Sequence, residues 1–177
     1  MIFQGIIFDL DGVICSTDEY HYQAWKELAD REGIPFDRSV NNRLRGVSRM
    51  ESLEILLERA KRFYSQEEKE KMAAAKNTRY QELLREMTPA DLSPEVFETL
   101  ETLRKQGLKL AIGSSSKNTP LILDRLGLGG YFDAVSDGNN ITRSKPAPEV
   151  FLKAAEYLGL SPETCLVVED AVSGVEA

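Results

Sequence analysis

Asp9 and Asp11 stand one residue apart, directly before Gly12, at the end of a short apolar run of Ile2, Phe3, Ile6, Ile7 and Phe8. Along an extended backbone, positions i and i+2 point to the same side, so the two carboxylates can face one small volume. Ser114, Lys145 and the pair Glu169–Asp170 follow at long intervals. Carboxylates crowded together repel one another, and hard oxygen donors of this kind suit Mg²⁺. A carboxylate attacking a phosphate dianion meets repulsion of about 1 kcal/mol per charge pair at 4 Å in water. A magnesium ion and a lysine relieve that repulsion and steady the transferring oxygens. The chemistry these types allow is phosphoryl transfer. Asp9 is the nucleophile that becomes an aspartyl-phosphate, and Asp11 is the general acid/base. The Ser114 hydroxyl and the Lys145 ammonium hold the moving phosphoryl group.

Taken singly, each signal has an ordinary reading. Asp-Leu-Asp-Gly reads as a solvated turn, Lys145 as a surface lysine, and Glu169–Asp170 as an acidic pair at a helix start. Their order along the chain, each after an apolar run, favours a common site. In open α/β sheets ligands bind at the carboxyl edge of the strands, so four separate segments would converge there.

The elements that must position these residues follow from pattern. The opening apolar run reads as a buried parallel strand. No strand pattern appears between Ser16 and Leu92. Thr17 is a candidate N-cap for a helix with Tyr20, Ala24 and Leu28 at helical spacing, stopped by Gly33. Ser48–Glu51 and Ser65–Glu68 are capping-box patterns, each opening a further helix. Ser93–Pro94 starts another helix in N-cap, N1 fashion. An alternating rhythm follows: strands over 108–112, 131–135 and 165–168, with helices from Thr119 and over 148–158. The fold class expected is α/β: a Rossmann-like parallel sheet core over residues 1–15 and 93–177, with an inserted all-helical cap domain over 16–92. The chain stops at Ala177 just as a helix should begin, so further residues of the core are expected beyond it.

Composition bounds the function. The chain has 177 residues, 42% hydrophobic and 29% charged, as an ordered globular protein does. A net charge of −7 argues against nucleic acid or an anionic membrane as partner. No apolar run approaches the ~20 residues that span a bilayer, and no signal peptide is recognisable. The two cysteines, Cys15 and Cys165, are expected to be free thiols in a reducing cytoplasm. A monomer is expected.

Phe8-Asp9-Leu10-Asp11-Gly12-Val13, Ser114, Lys145-Pro146 and Glu169-Asp170 together resemble the four motifs of the haloacid dehalogenase-like superfamily of aspartate-nucleophile phosphotransferases. The resemblance implies a Rossmann-like core, a mobile cap and Mg²⁺ held by Asp9, Glu169, Asp170 and the Asp11 carbonyl. Within the superfamily the chain is most similar to the β-phosphoglucomutase group, through Asp18-Glu19-Tyr20-His21 with Ala24-Trp25, Gly46-Val47-Ser48-Arg49, Lys76-Asn77 and Ser116-Lys117-Asn118. That likeness implies interconversion of β-D-glucose 1-phosphate and glucose 6-phosphate through a glucose 1,6-bisphosphate intermediate. It adds Thr17, His21 and Lys76 to the catalytic set, and Trp25, Gly46, Val47, Ser48, Arg49, Ser116, Lys117 and Asn118 to the substrate-binding set. The pattern departs at Cys15–Ser16, Ser115 and Ala171.

A phosphomutase also needs a second anion site away from Asp9. Arg45, Arg49, Lys76 and Lys117 are candidates, although each alone reads as part of a solvated face and Arg45 is left so. His21, the only histidine, shares a helix face with Trp25 and alone reads as packing. The rival reading is a Mg²⁺-dependent sugar-phosphate or phosphoglycolate-type phosphatase, in which water takes the phosphoryl group. A third is a binding module without catalysis, which the complete acid and lysine set argues against.

Overall fold

Gly5–Phe8 (β1) is buried along its whole length, as an apolar run flanked on both sides must be. The computed structural model describes residues 3–177, so Met1 and Ile2 of the opening run lie outside them. β1 lies between Lys109–Gly113 (β2) and Cys165–Val168 (β4), and β2 pairs outward with Ala134–Ser136 (β3). All pairings are parallel, in the order β3-β2-β1-β4. The pleat divides the sheet's side chains. Ile6, Phe8, Leu110 and Ile112 join one buried cluster, while Ile7, Ala111 and Ala134 join another with Val150, Phe151 and Ala154.

Asp18–Glu32 (α1), Arg38–Arg43 (α2), Arg49–Leu57 (α3) and Gln66–Leu84 (α4) fall between β1 and β2 in sequence. They share an apolar cluster of their own, including Trp25, Leu28, Val40, Leu53, Leu56 and Met72. α4 belongs to both bodies. Met72 and Ala73 pack in the helical cluster, whereas Tyr80, Leu83 and Leu84, with Met87 just beyond the helix, pack on the sheet side. Pro94–Lys105 (α5), Thr119–Arg125 (α6) and Glu149–Leu158 (α7) connect or flank the strands, and Val172–Glu176 (α8) follows β4.

Local sequence explains much of this. Both capping boxes form: Ser48 and Ser65 accept from the backbone N–H of Glu51 and Glu68, whose carboxylates accept in return. Gly33 and Gly159 end α1 and α7 in the left-handed conformation. Three expectations are corrected. β3 begins at Ala134 rather than 131, because the Asp133 carboxylate accepts from the Leu110 N–H at 2.8 Å and takes a ladder position ahead of the strand. β2 starts one residue later than expected, at Lys109. α2 was not anticipated: it is six residues long, capped by Asp37, and too short to show a period. Among the described residues no helix is long and apolar enough to cross a membrane, and both cysteines are free thiols.

Candidate active site

The carboxyl ends of β1, β2 and β4 open onto a cavity of 450 Å³ whose opposite wall is made by α1, α3 and α4. Asp9 leaves β1 directly and is buried, as are Ser114 and Lys145. The Lys145 ammonium lies 2.6 Å from Asp9 Oδ1 and 2.6 Å from Glu169 Oε2. One cation thus bridges two buried carboxylates brought together from positions far apart in the chain. Burial pushes Asp9 up to about 6, with the Glu169 charge adding to the rise and Lys145 opposing it. The Glu169 Oε1 atom accepts from the backbone N–H groups of Asp170 and Ala171.

Carboxylate oxygens of Asp9, Glu169 and Asp170 lie within 4.8 Å of one another. Three hard anionic donors at that spacing fit a divalent cation such as Mg²⁺ better than any softer metal. Gly12 is required here. It has φ +92°, and a Cβ there would fall 2.3 Å from Asp170 Oδ2, so only glycine lets the acidic residue approach the Asp11–Gly12 segment.

Asp11 is turned toward Thr17, not toward Asp9's partners. Its Oδ1 accepts from the Thr17 N–H at 2.7 Å and its Oδ2 from the Thr17 hydroxyl at 2.8 Å. Thr17 in turn accepts from the Tyr80 hydroxyl at 2.9 Å. Thr17 starts α1, but its side chain makes no capping bond, because the hydroxyl is spent on Asp11. Burial raises the Asp11 carboxyl above the ordinary range, against the Thr17 bonds that favour its charged form.

The helical wall carries the opposite charge. Lys76 is buried, with its ammonium 2.9 Å from His21 Nδ1 and over the faces of Trp25 and Tyr80 at 4.9 and 4.3 Å. His21 stacks on Tyr80 at 4.0 Å. With Lys76 charged, His21 Nδ1 accepts this bond and the imidazole proton sits on Nε2. Burial, then the neighbouring Lys76 and Arg49 charges, hold His21 well below its usual value. Burial, then Arg49, do the same for Lys76. Burial also lowers Arg49. Gly46, Val47, Ser48, Ser116 and Lys117 line the same cavity, and Trp25 is a buried part of its wall. Asn118 lines it too, but both ends of its side-chain amide are engaged by α4: Oδ1 accepts from Gln81 at 2.8 Å, and Nδ2 donates to Asn77 at 2.9 Å.

Several participants escape a reading of the sequence. Arg45, read as a solvated position, reaches Asp18 at 3.7 Å and Asp170 at 3.6 Å, spanning the helical wall and the acidic end. Asn41 and Ser52 line the cavity without belonging to any chemical pattern, and Asn77, named only in the Lys76-Asn77 pair, lines it too. A basic residue directly before the Gly-Val-Ser-Arg stretch was the one available signal for Arg45.

Comparison with known proteins agrees with this geometry. A sequence model described as haloacid dehalogenase-like hydrolase matches residues 3–177. A β-phosphoglucomutase of Bacillus subtilis (strain 168) is 44% identical over 176 residues, covering 98% of this chain and 78% of the relative. A phosphorylated carbohydrates phosphatase of Thermotoga maritima is 34% identical, covering 98% of this chain and 79% of its own length. The crystal structure of a β-phosphoglucomutase from Clostridium difficile superposes with a TM-score of 0.92 at 41% identity, over 99% of this chain and 79% of that one. With its parallel sheet, helical insert and matched length, the chain is an enzyme of the haloacid dehalogenase-like hydrolase family.

Proposed function

We propose that the protein interconverts β-D-glucose 1-phosphate and glucose 6-phosphate through an aspartyl-phosphate on Asp9 and a glucose 1,6-bisphosphate intermediate. The observation that carries this reading is the charge layout of one cavity. At the sheet end, Lys145 is paired with both Asp9 and Glu169. At the helical end, Arg49 and Lys76 have no carboxylate within ion-pair distance among the described residues. A buried lysine and a half-buried arginine without a counter-ion call for an anionic ligand. A substrate with a phosphate at each end satisfies both ends at once.

In this reading residues 16–92 act as a cap over a core formed by 1–15 and 93–177. The sugar's 6-hydroxyl attacks the phosphorus of phosphorylated Asp9. The new O–P bond forms as the Asp9 Oδ–P bond breaks, and Asp11 takes the hydroxyl proton. The bisphosphate then turns over. Asp9 attacks the phosphorus at the 1-position, and Asp11 returns its proton to the departing O1. Thr17 holds Asp11 in reach, while Ser114 and Lys145 hold the moving phosphoryl oxygens. Arg49, Ser116, Lys117 and Asn118 hold the phosphate that stays, with Gly46–Ser48 shaping that end and His21, Lys76 and Trp25 lining the sugar. Mg²⁺, held by Asp9, Glu169, Asp170 and the Asp11 carbonyl, supplies charge neutralisation for the phosphoryl group. The setting assigned is a cytoplasmic monomer acting on phosphorylated sugars, apart from nucleic acid and membranes.

The second reading, a Mg²⁺-dependent sugar-phosphate phosphatase, is favoured by the Thermotoga maritima relative's name. Product analysis decides between them. With Mg²⁺ and catalytic glucose 1,6-bisphosphate, β-glucose 1-phosphate should yield glucose 6-phosphate in a dehydrogenase-coupled assay. Stoichiometric free phosphate without glucose 6-phosphate would replace the mutase with the phosphatase.

A further inference from the structure

α4 touches the site along two adjacent stripes. Lys76 and Tyr80 face His21 and Thr17, while Asn77 and Gln81, each one residue on, face Asn118 of the core. Asn118 is buried and begins α6. Gln81 lies outside the residues lining the cavity, whereas Asn77 and Asn118 line it. An asparagine amide is symmetric in shape but not in charge: one end has two N–H donors, the other only acceptor lone pairs. If its orientation is free, either end can face the cavity, and the carbonyl end repels a phosphate. Here the Gln81 Nε2 donates to Asn118 Oδ1, so the oxygen is tied to α4 and the amino end is turned toward Asn77. Asn77 accepts one of the two Nδ2 hydrogens, and the other remains for a ligand.

We propose that Gln81, supported by Asn77, is a positioning residue that fixes the polarity of the Asn118 amide so that its N–H, not its carbonyl, meets the phosphate held by the loop of Ser116, Lys117 and Asn118. The proposal rests on the reading of that loop as a phosphate holder. The effect passes beyond Asn118. Its backbone N–H donates to Ser116 Oγ at 3.1 Å, and the Ser116 N–H donates to Ser114 Oγ at 3.2 Å. From the core side the loop is already held: Gly138 N–H donates to Ser116 O, and Asn139 Nδ2 donates to Lys117 O. In this set only the α4 bonds reach the loop from the helical insert.

The test compares Gln81→Leu and Gln81→Glu, each in the native background and with Asn118→Leu. Affinity for glucose 6-phosphate and for inorganic phosphate is measured by calorimetry with Mg²⁺ present. Removing the donor should weaken phosphate binding roughly tenfold, the scale of one buried hydrogen bond to a charged ligand. KM should rise while kcat stays within about threefold, as expected for a lost binding contact. Gln81→Glu, which offers only acceptors, should flip the Asn118 amide and weaken binding further. With Asn118→Leu present, both changes should add less than about twofold. The Asn118 side-chain NH₂ signals, slow to exchange in the native protein, should broaden or shift in Gln81→Leu. Equal losses from Gln81→Leu with and without Asn118 would overturn the proposal, as would unchanged Asn118 NH₂ signals. If the native protein makes no glucose 6-phosphate, the mutase reading fails, yet the order of inorganic phosphate affinities still decides the role of Gln81.

Discussion

The two ends of the cavity solve opposite electrostatic problems. At the sheet end the chain supplies part of its own compensation, since one buried ammonium sits 2.6 Å from each of two carboxylates. At the helical end Lys76 and His21 press against each other and against aromatic rings, with Arg49 on the same cavity wall, and burial lowers all three from their ordinary values. The first cluster has its own lysine and keeps a surplus of carboxylate that suits a divalent cation. The second is left short of negative charge and gains most when a phosphate arrives. A site that must hold the reacting group still and take in and release the rest of the substrate has reason to divide its charges in this way.

The most severe way to break the contrast is at the nucleophile. Asp9→Asn should lower phosphoryl transfer by roughly 10⁴–10⁶-fold, with no phosphoenzyme detected by intact-mass spectrometry and with a native far-ultraviolet spectrum. Turnover near the native rate would remove Asp9 from its role. Next comes Lys145→Met, which leaves Asp9 and Glu169 facing each other unpaired. It should destabilise the fold by about 3–5 kcal/mol in urea unfolding, and millimolar Mg²⁺ should recover part of the loss. A neutral effect would mean the sheet end is not compensated by this lysine.

At the helical end, Arg49→Ala should weaken glucose 1,6-bisphosphate binding by roughly 10–100-fold, while phosphoenzyme formation from acetyl phosphate changes by less than about threefold. Matching losses in both assays would place Arg49 at the wrong end of the cavity. The smallest effect has the opposite sign. Lys76 is buried without a carboxylate partner, so Lys76→Met should stabilise the fold by about 1 kcal/mol while impairing substrate binding. The pH dependence follows from the lowered Lys76 value. Between that lowered value and the ordinary 10.5, the unfolded chain binds the extra proton, so native stability rises with pH through this window. The advantage of Lys76→Met should therefore shrink as pH rises toward 10, read from paired urea titrations. An advantage that grows with pH would contradict an unpaired buried ammonium.

Much of the scaffold could be read along the chain because its causes are local. The capping boxes at Ser48 and Ser65 close within three residues, and the stops at Gly33 and Gly159 need one backbone angle each. β1 is legible because burial on both faces leaves an unbroken apolar run ending at Asp9. α2 was missed since a six-residue helix shows less than two turns of pattern. The start of β3 was missed since a side-chain carboxylate stands in for a backbone group at Asp133.

The order of residue types along the chain was enough to establish the α/β class and the helical insert and to bring an acidic, lysine-bearing set to one place, because strand ends in a parallel sheet gather at one edge whatever the details. It was not enough to show that Asp11 leans on Thr17, that Arg45 spans Asp18 and Asp170, or that Gln81 and Asn77 grip Asn118 from 37 and 41 residues away. Such contacts join side chains across elements and leave no periodicity behind. They exist only once helix α4 has been laid against the sheet and its polar groups, removed from water, have had to find partners.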